Sequence, residues 1–202
     1  MNDGSSSTGD LPDIPYSAEV RRKLIHLCSL SIPVAIWFLP WGTAVWALGT
    51  AFAGSVLVDG LRHFLPPNIR WWRHLVALFR PKEKGKLSGS SYLLLAALLL
   101  AILFNREVAA LSLTYMVVGD VAGALVGRRF GRHPLFDKTW EGSIAFFLAC
   151  LIFSPLVPGL PLWMKLSAAG LAAIIEFLPI KLDDNLTVPL GTAGFLTLLS
   201  SI

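Results

Sequence analysis

The sequence predicts an all-α, polytopic integral membrane protein with about seven transmembrane helices, and three observations predict it. Of 202 residues, 54% are hydrophobic and only 15% charged, whereas ordinary soluble domains are roughly 45–50% apolar and about 25% charged. The apolar residues fall into runs each about long enough to cross a bilayer, separated by short polar joints. The cations, finally, gather in alternate joints, the asymmetry that orients short-looped membrane proteins.

Taken in order, residues 1–17 are rich in Ser, Gly, Asp and Pro. Without a basic start or an apolar stretch they read as a disordered tail, neither signal peptide nor span. This leaves 18–202 as a single transmembrane catalytic domain. The candidate spans are 24–41, 42–59, 87–104, 108–127, 142–158, 162–180 and 186–202. With the amino terminus in the cytoplasm, every Lys and Arg except Arg106 and Lys165 lies on the cytoplasmic side. Within the 60–86 loop, Ile69, Trp72, Leu75, Val76 and Phe79 recur at helical spacing among Arg70, Arg73, His74 and Arg80. That pattern reads as an interfacial helix, either anchored to anionic lipid or in direct contact with substrate. The opposite joints, at Asn105 and at Pro158 to Pro161, are short and plain, so polar chemistry is expected on one face.

Some function classes are excluded. Cys28 and Cys150 lie inside apolar runs without metal-ligand spacing, so neither a disulfide framework nor a zinc site is implied. The net charge of +4 follows from topology and comes with no nucleic-acid motif, so no nucleic acid is expected as a partner.

The residues able to do chemistry form four groups. Gly119, Gly123, Gly127 and Gly131 are spaced by four, which makes one smooth helix face for another backbone or a ligand. Asp120 interrupts that apolar run, and intramembrane carboxylates are costly and usually functional. Arg128, Arg129, Arg132 and Lys138 crowd its cytoplasmic end, followed by Glu141 and Gly142. An acid that can hold Mg²⁺ beside glycines and cations suits a triphosphate. A second acid, Glu176, sits in the sixth span ahead of Asp183, Asp184 and Asn185. That trio reads either as a helix cap or as part of a metal site. Arg22 and Lys23 precede His26 by four and three residues and share its helix face, a disposition suited to anionic phosphate. Ser88 and Gly89, after Glu83, Gly85 and Lys86, open the third span as a cap or as a phosphate cradle.

Together these blocks resemble the CTP-dependent lipid kinase family of dolichol kinase, phytol kinase and the fungal CTP-dependent diacylglycerol kinase. The marks are Glu19 to His26; Glu83, Gly85 and Ser88-Gly89; Gly119-Asp120 with Gly123, Gly127 and Gly131; Lys138-Thr139-Trp140-Glu141-Gly142; and Glu176, Pro179 and Asp183 to Asn185. Where the family usually carries alanine three residues after its aspartate, this chain has Gly123. A similar Asp, Gly and Lys-x-x-Glu-Gly pattern belongs to phosphatidate cytidylyltransferases, the runner-up. Their carboxyl-terminal His-Gly-Gly and Asp-Arg-x-Asp run is missing here.

The resemblance implies a helical membrane fold, CTP as phosphoryl donor, Mg²⁺ as cofactor, and a lipid alcohol as acceptor: a polyprenol, a phytol-like isoprenoid or a diacylglycerol. The catalytic candidates are Asp120, Lys138, Glu176 and Glu141, with Glu176 first as general base. Candidate metal ligands are Asp120, Glu141, Asp184 and Asn185. Nucleotide contacts are expected from Arg22, Lys23, His26, Ser88, Gly89, Gly119, Gly123, Gly127, Arg128, Gly131 and Gly142. The active site is expected on the cytoplasmic side, of the plasma membrane in a bacterium and of the endoplasmic reticulum or a plastid in a eukaryote. Small-residue faces would permit a homodimer. A transporter is the reading from another class, disfavoured because the polar groups lie on one face.

Overall fold

The computed structural model describes residues 16–64 and 87–201. Eight α-helices run through them: α1 (Tyr16–Leu27), α2 (Ser31–Phe38), α3 (Trp41–Phe64), α4 (Gly89–Leu103), α5 (Arg106–Phe130), α6 (Trp140–Phe153), α7 (Leu162–Phe177) and α8 (Asp184–Ser200). Each expected span holds a helix. The first is broken, because a 3-10 turn at Cys28–Leu30 separates α1 from α2. Pro33 follows it in the first turn of α2, where its missing N–H is tolerated. Helix α1 begins at Tyr16, inside the stretch read as tail. Of the 60–86 loop, 60–64 complete α3, and the rest of the proposed interfacial helix lies outside the described residues, as do Glu83, Gly85 and Lys86.

Helix α5 is the axis of the bundle. Its residues from Val108 to Gly119 are all buried, and α1, α2, α4, α6, α7 and α8 pack around it. A helix apolar on every side over this length has to be enclosed. The starts of the surrounding helices are set by side chains that accept orphan N–H groups. Ser88 accepts from Ser91 at α4, Thr139 from Gly142 at α6, and Asp183 from Asn185 at α8. Between α5 and α6 the chain makes a small antiparallel ribbon, β1 (Pro134–Leu135) with β2 (Lys138–Thr139), that adds to the helical expectation. Phe136 at its tip has φ of 53°, a conformation costly for a bulky residue.

Helices α3 and α5 are long and apolar enough to cross a membrane, while α4 and α6 are apolar but shorter. Yet the described residues leave α3 mostly uncovered, with Trp46 78% exposed. The two cations outside the basic set have structural work. Arg106 donates to the carbonyls of Trp37 and Leu39 at 2.8 and 3.0 Å, closing the end of α2. Buried Lys165 donates to the carbonyl of Val157 at 2.6 Å.

Candidate active site

The site is assembled where α1, α5, β2, α7 and α8 converge. Helix α1 lies against α5 and is tied to it by charge. Lys23 Nζ meets Asp120 Oδ2 at 2.5 Å, and His26 Nε2 stands 3.3 Å from the same oxygen. The i, i+3 spacing of Lys23 and His26 explains how one carboxylate receives both. One turn earlier Glu19, only 4% exposed, pairs with Arg22 on its own helix and with Arg128 of α5 at 3.2 Å. Arg129 also lies over the ring of Tyr16 at 5.8 Å.

A second cluster is centred on Lys138, carried inward by β2. Its ammonium holds Glu176 Oε1 at 2.8 Å and Asp184 Oδ2 at 2.9 Å and donates to the carbonyl of Glu176. Burial works against the Lys138 charge, but the carboxylates of Glu176 and Asp184 outweigh it, so the ammonium is held above its ordinary 10.5. Burial likewise pushes Asp184 up, and the pull of Lys138 only partly offsets it. Asp120 adds repulsion at Asp184.

The donor set fits a hard divalent cation. Glu176 Oε2 and Asn185 Oδ1 are buried with no hydrogen-bond partner among the described residues, and both belong to oxygen groups that Mg²⁺ accepts. Among the described residues no three His, Cys, Asp or Glu side chains converge tightly enough to hold a metal by themselves. That is not an objection for Mg²⁺, which is usually held by one or two carboxylates together with substrate phosphates.

Three groups of expected residues are placed differently. Glu141, in the first turn of α6 directly after the exposed ribbon, pairs with His133, whose ring nitrogen it meets at 2.7 Å. The glycine face is filled by protein. A Cβ on Gly119 would stand 2.5 Å from the Phe146 ring, one on Gly127 2.9 Å from Thr139 Oγ1, and one on Gly142 2.9 Å from the Gly123 carbonyl. A Cβ on Gly123 would stand 3.2 Å from the Gly142 carbonyl, and one on Gly131 would run into the Thr139 side chain. These glycines therefore let α6 and β2 approach α5 closely.

The amino-terminal end of α4, expected as a phosphate cradle at Ser88 and Gly89, already faces an anion of the chain itself. Asp59 Oδ2 accepts from the Ser88 N–H at 2.8 Å, from the Ser88 hydroxyl at 3.1 Å and from the Ser91 hydroxyl at 2.7 Å. Asp59 is 4% exposed. Sequence reasoning passed over it because it ends an apolar run and looks like a boundary residue. It assigned no role to Glu19 either, although Arg22 three residues on was the available signal.

No family model matches the chain, and no solved structure matches it significantly. Among curated proteins, the phytol kinase of Synechocystis is 32% identical over 87% of this chain and 77% of its own length. The Glycine max protein named "Probable phytol kinase 2, chloroplastic" is 36% identical over 86% of this chain and 63% of its own length. The CTP-dependent diacylglycerol kinase 1 of Saccharomyces cerevisiae is 26% identical over 88% of this chain and 72% of its own length. The ammonium–carboxylate clusters described above thus belong to a chain similar over most of its length to these kinases, and the chain is a member of the lipid kinase family that includes phytol kinase and the CTP-dependent diacylglycerol kinase.

Proposed function

We propose that this protein transfers the γ-phosphoryl group of CTP to the hydroxyl of a membrane lipid alcohol, working from the cytoplasmic face of a bilayer that it spans. The observation that carries this reading is the pair of ammonium–carboxylate clusters, Lys23–Asp120 and Lys138–Glu176–Asp184, brought together at one end of an apolar bundle. Phosphoryl transfer asks the protein mainly for positioning and charge stabilisation. The uncovered apolar surface of α3 supports a lipid surrounding, since soluble proteins rarely leave such a surface bare.

Arg22, Lys23, Arg128 and Lys138 neutralise the phosphate oxygens. Asp184, Asn185 Oδ1 and Asp120 are the groups that would hold Mg²⁺, which when bound neutralises the phosphate charge. The acceptor oxygen attacks the γ-phosphorus in line. Its new O–P bond forms as the bridge to the β-phosphate breaks, and CDP departs. The hydroxyl proton passes to Glu176 Oε2, an oxygen with no hydrogen-bond partner among the described residues.

The test supplies purified protein with CTP labelled at either the α or the γ phosphate, Mg²⁺, a panel of lipid alcohols, and phosphatidic acid. Label from the γ position in a phosphorylated alcohol is the expected result. Label from the α position alone, appearing in a product of phosphatidic acid with release of pyrophosphate, overturns it in favour of cytidylyl transfer.

A further inference from the structure

A cavity of about 190 Å³ opens between α2, α5 and the end of α6. Its walls are Leu30, Pro33 and Trp37 on one side, Ala110 and Thr114 on the second, and Val157 beyond α6 on the third. The lining is apolar in effect as well as in composition. The Thr114 hydroxyl is turned into its own helix, donating to the Ala110 carbonyl at 2.7 Å, and the Val157 carbonyl is taken by Lys165.

Its position relative to the charged site gives it meaning. Lys23, His26, Leu30, Pro33 and Trp37 are spaced three, four, three and four apart, so one face of the α1–α2 run starts in ammonium and imidazole and continues in hydrocarbon. The 3-10 turn at Cys28–Leu30 marks the change from one to the other. On α5, Thr114 is six residues from Asp120, about 9 Å along the axis at 1.5 Å per residue. The α1–α2 run that presents Lys23 and His26 and the helix that presents Asp120 therefore also border an apolar slot, which begins about 9 Å farther along α5 and about a third of a turn round it.

We propose that this slot holds the hydrocarbon tail of the acceptor alcohol, one chain at a time, and reads its shape. The inference rests on the lipid-kinase reading above. An alcohol with its hydroxyl beside Asp120 would thread its middle carbons past Leu30 and Thr114 toward Val157. At about 30 Å³ for each water-sized group, the slot holds roughly six such groups. That is a segment of a single chain.

The experiment combines kinetics with labelling that needs no catalysis. Val34 borders the slot and is more than half exposed, so Val34→Trp narrows the entrance without burying new bulk, while Trp37→Ala widens it. With long-chain alcohols, Val34→Trp should raise KM about tenfold, equivalent to roughly two methylenes left unburied. With a short prenol that does not reach the slot, both variants should match the wild type. Trp37→Ala should shift preference toward bulkier, branched chains. In the labelling arm, a long-chain alcohol bearing a mid-chain diazirine is irradiated with wild-type protein in the absence of nucleotide. It should mark the peptides containing Val34 to Phe38 and Leu156, and unlabelled alcohol should compete where bulk phosphatidylcholine does not.

Equal losses with short and long alcohols overturn the proposal, as does an unchanged KM for both. Labelling that phosphatidylcholine suppresses assigns the slot to bulk lipid and overturns it too. If wild-type protein phosphorylates no alcohol yet the competition pattern holds, the kinase reading fails and tail binding stands, so the two failures are distinguishable.

Discussion

Lys138 reaches two carboxylates from two different helices with one ammonium, and Asp120 receives Lys23 from 97 residues away. Asp120→Asn and Lys138→Ala should therefore each lower turnover about a hundredfold or more, close to 3 kcal/mol of barrier, with the fold retained by circular dichroism. Activity unchanged in both would remove them from the site. Glu141 behaves differently. Its hydrogen bond with His133, reinforced by backbone N–H groups, holds its carboxyl down to about 2 against the usual 4.5. A carboxylate with a depressed folded pKa contributes stability that is complete above its unfolded pKa and is lost as pH falls toward the folded value. Wild-type protein should thus melt slightly above Glu141→Gln from neutrality to about pH 5, and the two should converge as pH approaches 2. A gap that widens on acidification would contradict the pairing. Asp120, Glu176 and Lys138 were legible in the sequence because a charge within or beside an apolar run is conspicuous. Their partners were not, because a pairing across many residues has no local signature. The pairing of Glu141 with His133, eight residues earlier across the ribbon, has no local signature either.

At the scale of elements, the approach of α6 to α5 depends on the absence of side chains. Gly119→Ala would set a methyl against the fully buried ring of Phe146. Overpacking of this kind costs about 1–3 kcal/mol, and unfolding in detergent should register it. Phe146→Leu removes the obstructing ring edge, so the double variant should lose less than the sum of the two single losses. Strict additivity would show that the contact is not what restrains Gly119. Each of the seven apolar runs holds a helix among the described residues, the first split into α1 and α2, because periodicity and length carry that information. The break between α1 and α2 was not visible, since a 3-10 turn keeps the same composition. Glycine spacing announced a smooth helix face but not its occupant. Backbone and ligand both need the same absence of bulk, and only the packing of α6 decides between them.

For the whole molecule, the basic joints and the capping cations Arg106 and Lys165 together predict sidedness. In a background with Cys28 and Cys150 replaced by serine, Asp137→Cys on the ribbon and Lys181→Cys before α8 are both exposed positions. An impermeant maleimide should label both from one face of sealed vesicles, and Pro158→Cys from the other. Labelling of all three from the same face would refute the topology.

The pairing of the site's cations has a consequence for how ligands arrive. At rest Lys138 is occupied by Glu176 and Asp184, and Lys23 by Asp120. A triphosphate that takes these ammonium groups strands the carboxylates beside one another, and a divalent ion that takes the carboxylates strands the ammonium groups. On the proposed function each ligand would remove the penalty that the other creates, so their binding would be positively coupled, and by thermodynamic reciprocity each would tighten the other by the same factor. On the same reading the protein would be a poor receptor for free nucleotide or free metal and a good one for the two as a single guest.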